Sequence, residues 1–181
     1  PFTNLSDPDL RAAFPEWVGT QYEYKGYDNV KDFFRKGSTS NTSVNFRGST
    51  DKLNYSVTYS HVDDKGFTPG NDLVKDNFGV GGTARLNNKI NVGATFNYAK
   101  TDYQTPPIAA SFGSGVTGGG SSVFGDLFYT PRNIDLMNWP YQSPIDGRSV
   151  YYRGGNDIQN PRWTVANAKA SQEVNRIYGN A

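Results

Sequence analysis

The feature that most constrains how this chain folds is an alternation of apolar and polar residues with a period of two. It is clearest where Leu53, Tyr55, Val57 and Tyr59 alternate with Asn, Ser and Thr residues. Successive side chains of a β-strand point to opposite faces, so the pattern predicts a strand with one apolar and one polar face. Residues 42–47 alternate in the same way, and a tight turn at 49–52 would join the two into a hairpin.

Two more strands are predicted over residues 77–86 and 90–99, with Asn87 and Asn88 in a second tight turn between them. Residues 174–178 alternate again and predict the opening of a fifth strand. The composition agrees, because 14% aromatic residues and 20 Gly favour strands and loops over helices. Short helices are predicted only at 8–13 and 29–36. We therefore predict an all-β chain of antiparallel strands.

The composition also argues against several classes of function. A net charge of +1 without a stripe of Lys or Arg argues against a nucleic-acid-binding protein. The chain has no Cys and a single histidine, His61, which excludes thiolate catalysis and a pair of His ligands for a metal. The aspartates at 63, 64, 72 and 76 lack the spacing of a calcium-binding loop. We predict a protein that is not an enzyme and that has no cofactor.

The predicted connections differ in length in a regular way. Those at 49–52 and 87–89 are short, whereas those at 61–76 and 102–171 are long. Short turns on one side and long loops on the other are typical of a transmembrane β-barrel, whose long loops lie outside the cell. Tyr59, Phe78 and Tyr98 then fall at the outer end of the apolar faces, where we predict a lipid-facing aromatic girdle.

The same alternation also fits a soluble extracellular β-sandwich that binds carbohydrate or protein, with the apolar face packed on a protein core. The polar faces carry Asn, Ser, Thr and Gly with almost no charge, which favours an enclosed polar interior over a face exposed to water. Both alternatives remain open from the alternation alone.

The long segment 102–171 is rich in aromatic rings and arginines. These side chains form a candidate surface for stacking on a sugar or binding a protein partner. Alternatively, the rings pack a long loop against itself. The candidate residues are Trp139, Tyr141, Arg148, Tyr151, Tyr152, Arg153 and Trp163.

Several short motifs follow one another along most of residues 29–180. They are NVKDFFRKG at 29–37, NTSV at 41–44, DKLNYSVTYS at 51–60, KGFTP at 65–69, PRNIDL at 131–136, NPRW at 160–163 and NRIYGN at 175–180. In this order, the set resembles the SusC/RagA-type TonB-dependent outer-membrane transporters. Each motif is weakly specific alone, and the ordered set is more specific.

The resemblance implies four or five early strands of a 22-stranded barrel in the outer membrane of a Gram-negative bacterium. It implies import of oligosaccharides or peptides with a SusD-like surface lipoprotein, and energy from TonB through parts of the protein outside this chain. We expect residues 1–41 to be a loop with short helices, 42–101 four barrel strands, 102–171 a long extracellular loop and 172–181 the start of a fifth strand.

Overall fold

A computed structural model describes residues 8–106, 122–152 and 159–181. These residues form two compact units. The sheet unit comprises Lys36–Phe67, Asn71–Gln104 and Ser171–Ala181, and the loop unit comprises the described parts of Pro1–Arg35, Thr68–Gly70 and Thr105–Ala170. Arg153, one of the candidate surface residues, lies outside the described residues.

The sheet unit is one sheet of five strands in chain order, in which the first four strands pair antiparallel and the fifth is hydrogen-bonded to the fourth. The predicted antiparallel all-β fold is therefore confirmed, with only short helices elsewhere. Within the described residues the sheet is open along the outer edges of its first and last strands. The strands are β1 (Ser38–Ser49), β2 (Leu53–Lys65), β3 (Asp72–Arg85), β4 (Asn91–Thr105) and β5 (Ala170–Asn180).

Two tight turns join β1 to β2 and β3 to β4, as predicted. In the first, the Thr50 amide donates to the Leu53 carbonyl at 2.7 Å, and in the second the Leu86 amide donates to the Ile90 carbonyl at 3.0 Å. The Asn87 side chain accepts from the amide of Ile90 at 2.9 Å, so it closes the second turn as an Asx residue typically does. Both turns lie at the same end of the sheet.

The connection between β2 and β3 is shorter than predicted. The sequence pattern placed a loop over 61–76, but His61 pairs with Asp76 and Lys65 pairs with Asp72, so only residues 66–71 connect the strands. The backbone ladder continues here because hydrogen bonds between strands do not require alternating apolar side chains. The contrast between short and long connections therefore rests on one segment, residues 106–169 between β4 and β5.

The loop unit contains four short α-helices and one turn of 3-10 helix. The helix predicted at 8–13 is confirmed, and the one predicted at 29–36 ends three residues early, at Phe33. The other two helices were not predicted. The elements are α1 (Pro8–Ala13), a 3-10 turn (Pro15–Trp17), α2 (Asn29–Phe33), α3 (Val123–Tyr129) and α4 (Pro161–Asn167).

Side-chain caps explain where α3 and α4 begin. The Ser122 hydroxyl accepts from the Gly125 amide at 3.2 Å, and the Asn160 side chain accepts from the Arg162 amide at 3.0 Å. Such caps satisfy amides that have no partner within the helix. Pro161 at the first position of α4 supplies a backbone angle that already suits a helix.

All the buried apolar side chains of the described residues lie in the loop unit, in two clusters. Both clusters combine residues from the N-terminal segment with residues from the long connection. The described residues of 8–35, 122–152 and 159–170 therefore pack as one unit, where the sequence pattern had treated the N-terminal segment and the long connection as two separate loops. One cluster contains Phe14, Ile134, Trp139 and Val150, and the other contains Phe33, Val123, Leu127, Leu136 and Tyr151.

Candidate functional site

The register of the sheet brings the three predicted girdle residues together. Tyr59 of β2 lies directly opposite Phe78 of β3, and Phe78 lies directly opposite Tyr98 of β4. Val44 of β1 continues the same row on the other side of Tyr59. The alternation in separate strands thus places a row of three aromatic side chains across β2–β4, which we call the aromatic row, and contact of this row with lipid remains a prediction.

Below this row, towards the turns, the same face of β1–β4 is apolar without interruption. The next row across the sheet is Phe46, Val57, Val80 and Phe96, and no charged side chain occurs on this face of β1–β4 down to the turns. We call this surface the apolar face. Its remaining members are Gly48, Leu53, Tyr55, Gly82, Ala84, Val92 and Ala94.

The apolar face is exposed in the described structure. Phe46 is 66% exposed, and Phe96 and Tyr59 are each 44% exposed, although a core position of a soluble sheet would be nearly inaccessible. Isolated exposed apolar residues are ordinary, but a continuous apolar face marks a site of contact with another molecule or with lipid. This face is therefore the first candidate functional surface.

The apolar face ends sharply at its other edge, away from the turns. The row beyond Tyr59, Phe78 and Tyr98 consists of His61, Asp76 and Lys100. The Tyr59 hydroxyl donates to Asp76 at 2.7 Å, and Nδ1 of His61 lies 2.8 Å from the same carboxylate oxygen. Aromatic rings with their polar atoms turned to charged neighbours are typical of a boundary between an apolar medium and water.

Lys100 continues this charged edge towards β5. Its ammonium nitrogen lies 3.2 Å from Asp102 and 3.7 Å from Glu173 of β5. These side chains are partly exposed, so each pair contributes little to stability. These residues matter because of where they lie, since they put charged groups immediately beside the aromatic row.

The opposite face of the sheet, which we call the polar face, is joined by side-chain hydrogen bonds between strands. Asn45 donates to the Thr58 hydroxyl at 2.8 Å, and Asn77 donates to the Ser60 hydroxyl at 3.0 Å. Thr95 of β4 donates to Asn180 of β5. Between the tight turns and the aromatic row, the two faces of one sheet therefore differ in chemistry.

Two hollows of about 770 and 320 Å³ lie over the polar face. They form where glycines 79, 81 and 93 leave the backbone uncovered among Ser, Thr and Asn side chains. A glycine within a strand often marks a place where a ligand or another backbone approaches closely. The larger hollow is the second candidate functional surface.

The aromatic candidates of the loop unit do not form one exposed surface. Trp139 and Tyr151 are 7% and 4% exposed and belong to the two buried clusters, so they are not available to stack on a sugar or a partner. The Tyr151 hydroxyl donates to the Asp126 carbonyl at 2.8 Å, and the Tyr151 ring packs edge-on against the ring of Tyr152, with centroids 4.6 Å apart. For these rings, the alternative interpretation applies: they pack the loop against itself.

The remaining candidates have local structural contacts. Trp163 donates to the Gly147 carbonyl at 2.8 Å, and Arg148 lies 3.3 Å from Asp9 and 3.1 Å from Asp146. A hydrogen bond from Ser143 is the largest cause that lowers the pKa of Asp146. The structure therefore connects these side chains to backbone and ion pairs within the loop unit.

Arg162 organises this region, although the sequence did not single out its role. Its guanidinium donates to the carbonyls of Leu136 at 3.0 Å and Trp139 at 2.9 Å, and it lies 4.5 Å from the centre of the Tyr141 ring. Partial burial lowers its pKa. An arginine suits this place because its planar group can donate to two carbonyls and stack on a ring at once. No local sequence signal could have indicated carbonyls that lie more than twenty residues away.

Among the described residues, no group of three or more His, Asp or Glu side chains is placed to hold a metal ion. No helix in the described parts of the chain is long and apolar enough to cross a membrane. The chain matches no model of a known protein family, and no curated protein was found that matches it.

Proposed function

We propose that this chain is a segment of a SusC-like TonB-dependent outer-membrane barrel that imports bulky nutrients such as oligosaccharides or peptides. The observation that carries the proposal is the exposed apolar face, which is continuous over four strands while every buried apolar side chain of the described residues lies in the loop unit. In a β-barrel of the outer membrane, an apolar face of this kind contacts lipid and the polar face lines the interior.

The height of the apolar face supports this placement. From Ile90 to Tyr98 a strand rises roughly 26 Å at about 3.3 Å per residue, and a tilt of about 40° reduces this to roughly 20 Å, near the apolar band of about 25 Å in such barrels. The aromatic row then lies at one boundary of the membrane, and the row of His61, Asp76 and Lys100 lies in the headgroup region.

The soluble β-sandwich is the alternative, and it requires a second sheet over the apolar face. The five strands of the described residues form a single sheet, so no described part of this chain provides that cover. The open edges of β1 and β5 are the places where further barrel strands would pair.

The resemblance supplies the rest of the proposal. In this proposal the long connection 102–171 lies outside the cell, where a SusD-like lipoprotein and the nutrient would meet it, and TonB is a partner of other parts of the protein. In this proposal the chain is not an enzyme and uses no cofactor, and the protein is integral to the outer membrane of a Gram-negative bacterium.

A pair of arginine substitutions tests the lipid-facing assignment. An arginine at the middle of the membrane on a lipid-facing strand position costs about 2–4 kcal/mol, whereas an interior position tolerates charge far better. We expect Val57→Arg to reduce the amount of assembled barrel much more than Ser56→Arg, its neighbour on the polar face. Equal amounts, or a greater loss with Ser56→Arg, would remove the lipid-facing assignment.

A further inference from the structure

Beyond the apolar face, β4 carries two charged layers in a fixed order. Tyr98 lies in the aromatic row, Lys100 follows two residues later, and Asp102 follows two residues after that, all on one side of the strand. Two residues advance a strand by roughly 7 Å, which is about 5 Å of membrane depth at a tilt of about 40°. Outwards from the aromatic row, β4 therefore presents a cation and then a carboxylate.

The outer of these layers contains a hollow of about 320 Å³ in the sheet unit, between β3, β4 and β5. We call it the edge hollow. Among the described residues that line it, three are carboxylates and none is a lysine or an arginine. An ammonium group suits such a lining, because it donates a strong hydrogen bond to a carboxylate from each of its N–H bonds. The lining includes Asp72, Val74, Asp102, Gln104, Ser171 and Glu173.

Lys100 lies between the apolar face and the edge hollow. Its ammonium nitrogen is 3.2 Å from Asp102 and 3.7 Å from Glu173, which both line the hollow. These side chains are partly exposed, so their ion pairs are weak and a charged group from outside can exchange with them. An anion that approaches from the apolar face therefore meets Lys100 before it meets these carboxylates.

We propose that this edge of the apolar face binds a lipid with a phosphoethanolamine headgroup. Its acyl chains lie on the apolar face, its phosphate pairs with Lys100, and its ammonium enters the edge hollow between Asp102 and Glu173. The sequence of apolar, anionic and cationic parts along such a lipid is complementary to the sequence of layers along β4. The two-carbon link between phosphate and ammonium suits the spacing of about 5 Å between the charged layers.

The carboxylates of the edge hollow select among headgroups. A primary ammonium donates hydrogen bonds to them, whereas the trimethylammonium of phosphatidylcholine has no N–H group and phosphatidylglycerol has no cation. The strength of a partly exposed ion pair corresponds to a preference of about fivefold. The inference rests on the proposed function, in which the apolar face contacts lipid, and it adds which headgroup this face prefers.

Photo-crosslinking in the assembled membrane protein tests this preference. Benzoylphenylalanine replaces either Phe78, in the aromatic row beside the charged edge, or Phe46, on the same face of β1, whose residues farther out on this face are uncharged. The vesicles contain equal amounts of phosphatidylethanolamine, phosphatidylcholine and phosphatidylglycerol with identical acyl chains, and a chelator removes divalent cations. Mass spectrometry identifies the adducts. We expect phosphatidylethanolamine to exceed phosphatidylcholine about fivefold at position 78 and to equal it at position 46.

Removal of two carboxylates then tests the role of the edge hollow. Asp102→Asn combined with Glu173→Gln takes both partners from Lys100, so position 78 should lose its preference for phosphatidylethanolamine and capture more phosphatidylglycerol. Asp51→Asn is the control, because Asp51 lies in the tight turn at the opposite end of the sheet, and it should leave the headgroup ratio unchanged. The yield of lipid adduct at position 46 shows that each variant has assembled.

The outcomes distinguish the inference from the proposed function. Absence of lipid adducts at both positions would contradict the proposed function itself. Lipid adducts with the same headgroup ratio at positions 78 and 46 would overturn the inference alone, and so would a preference for phosphatidylethanolamine that survives the double substitution. A preference for phosphatidylglycerol before the carboxylates are removed would also overturn it, since Lys100 would then act without the edge hollow.

Discussion

The ring of Tyr55 in β2 lies over Gly48 in the neighbouring strand β1. It occupies the space that a side chain at position 48 would fill. The two residues are directly paired between β1 and β2, and a Cβ built at Gly48 would overlap the far end of the ring. Glycine weakens a strand because it has no side chain to pack, and an aromatic ring from the neighbouring strand can compensate.

This relationship predicts a coupling between the two positions. Gly48→Ala should destabilise the assembled protein while Tyr55 is present, because the ring must move away from the sheet. In a Tyr55→Ala background the same change should be neutral or stabilising, with a coupling of about 1 kcal/mol. Urea unfolding in lipid vesicles measures this coupling from four proteins: the unchanged protein, the two single variants and the double variant. If the two substitutions change the free energy of unfolding additively, the position of the ring does not depend on the glycine.

Gly179 of β5 provides a contrast to Gly48. A Cβ at Gly179 would overlap the backbone carbonyl of Thr95 in β4, which cannot turn aside as a tyrosine ring can. Gly179→Ala should therefore cost more stability than Gly48→Ala in the same unfolding measurement, and removing a nearby side chain should not relieve the cost. A smaller loss at Gly179 would contradict the close approach of β5 to β4.

Much of the sheet could be predicted from the sequence, because the alternation over residues 42–59 and 78–98 fixes faces and turns locally. The extension of β2 through His61–Lys65 and of β3 through Asp72–Asp76 could not, since charged residues continue the backbone ladder there without a regular apolar pattern. The pairing of β1 with β2 and of β3 with β4 follows from the two tight turns. The position of β5 beside β4 does not, because the long connection 106–169 separates these two strands in sequence.

The loop unit could not be predicted in the same way. Its two cores join residues about a hundred positions apart, and no periodic pattern indicates such a pairing. For the aromatic candidates, the sequence left open an exposed binding surface or packing of the loop against itself, and it could not tell the buried Trp139 from an exposed ring of the same type. Arg162 and Asn29 were missed because their partners are distant backbone groups.

Asn29 connects the two halves of the loop unit. Its side chain donates to the Ile134 carbonyl at 2.8 Å and accepts from the Leu136 amide at 3.2 Å, in a buried position. Asn29→Ala leaves both backbone groups without this partner, which should cost about 2–3 kcal/mol. Limited proteolysis of the loop unit in the assembled protein should be faster for Asn29→Ala than for Asn167→Ala, an exposed control. Equal rates of proteolysis for the two variants would show that the hydrogen bonds of the Asn29 side chain do not hold the loop unit together.

The isolated chain should not be a soluble monomer. Its sheet has two open edges and an exposed apolar face, and each of these promotes association in water. Residues 1–181 expressed alone should aggregate in detergent-free buffer, as measured by light scattering. A soluble monomer that unfolds cooperatively would instead favour the β-sandwich.

The central claim is that one face of the sheet contacts lipid and the other does not. Single cysteines at positions 92–98 of β4 can carry a nitroxide spin label in the assembled protein, and these 181 residues add no native Cys that would be labelled as well. Its collision rates with oxygen, which concentrates in lipid, and with a water-soluble nickel complex then report the surroundings of each position. We predict high oxygen and low nickel accessibility at Val92, Ala94 and Phe96, and the opposite order at Gly93, Thr95 and Asn97. Uniform accessibility, or high nickel accessibility at Phe96, would contradict the account.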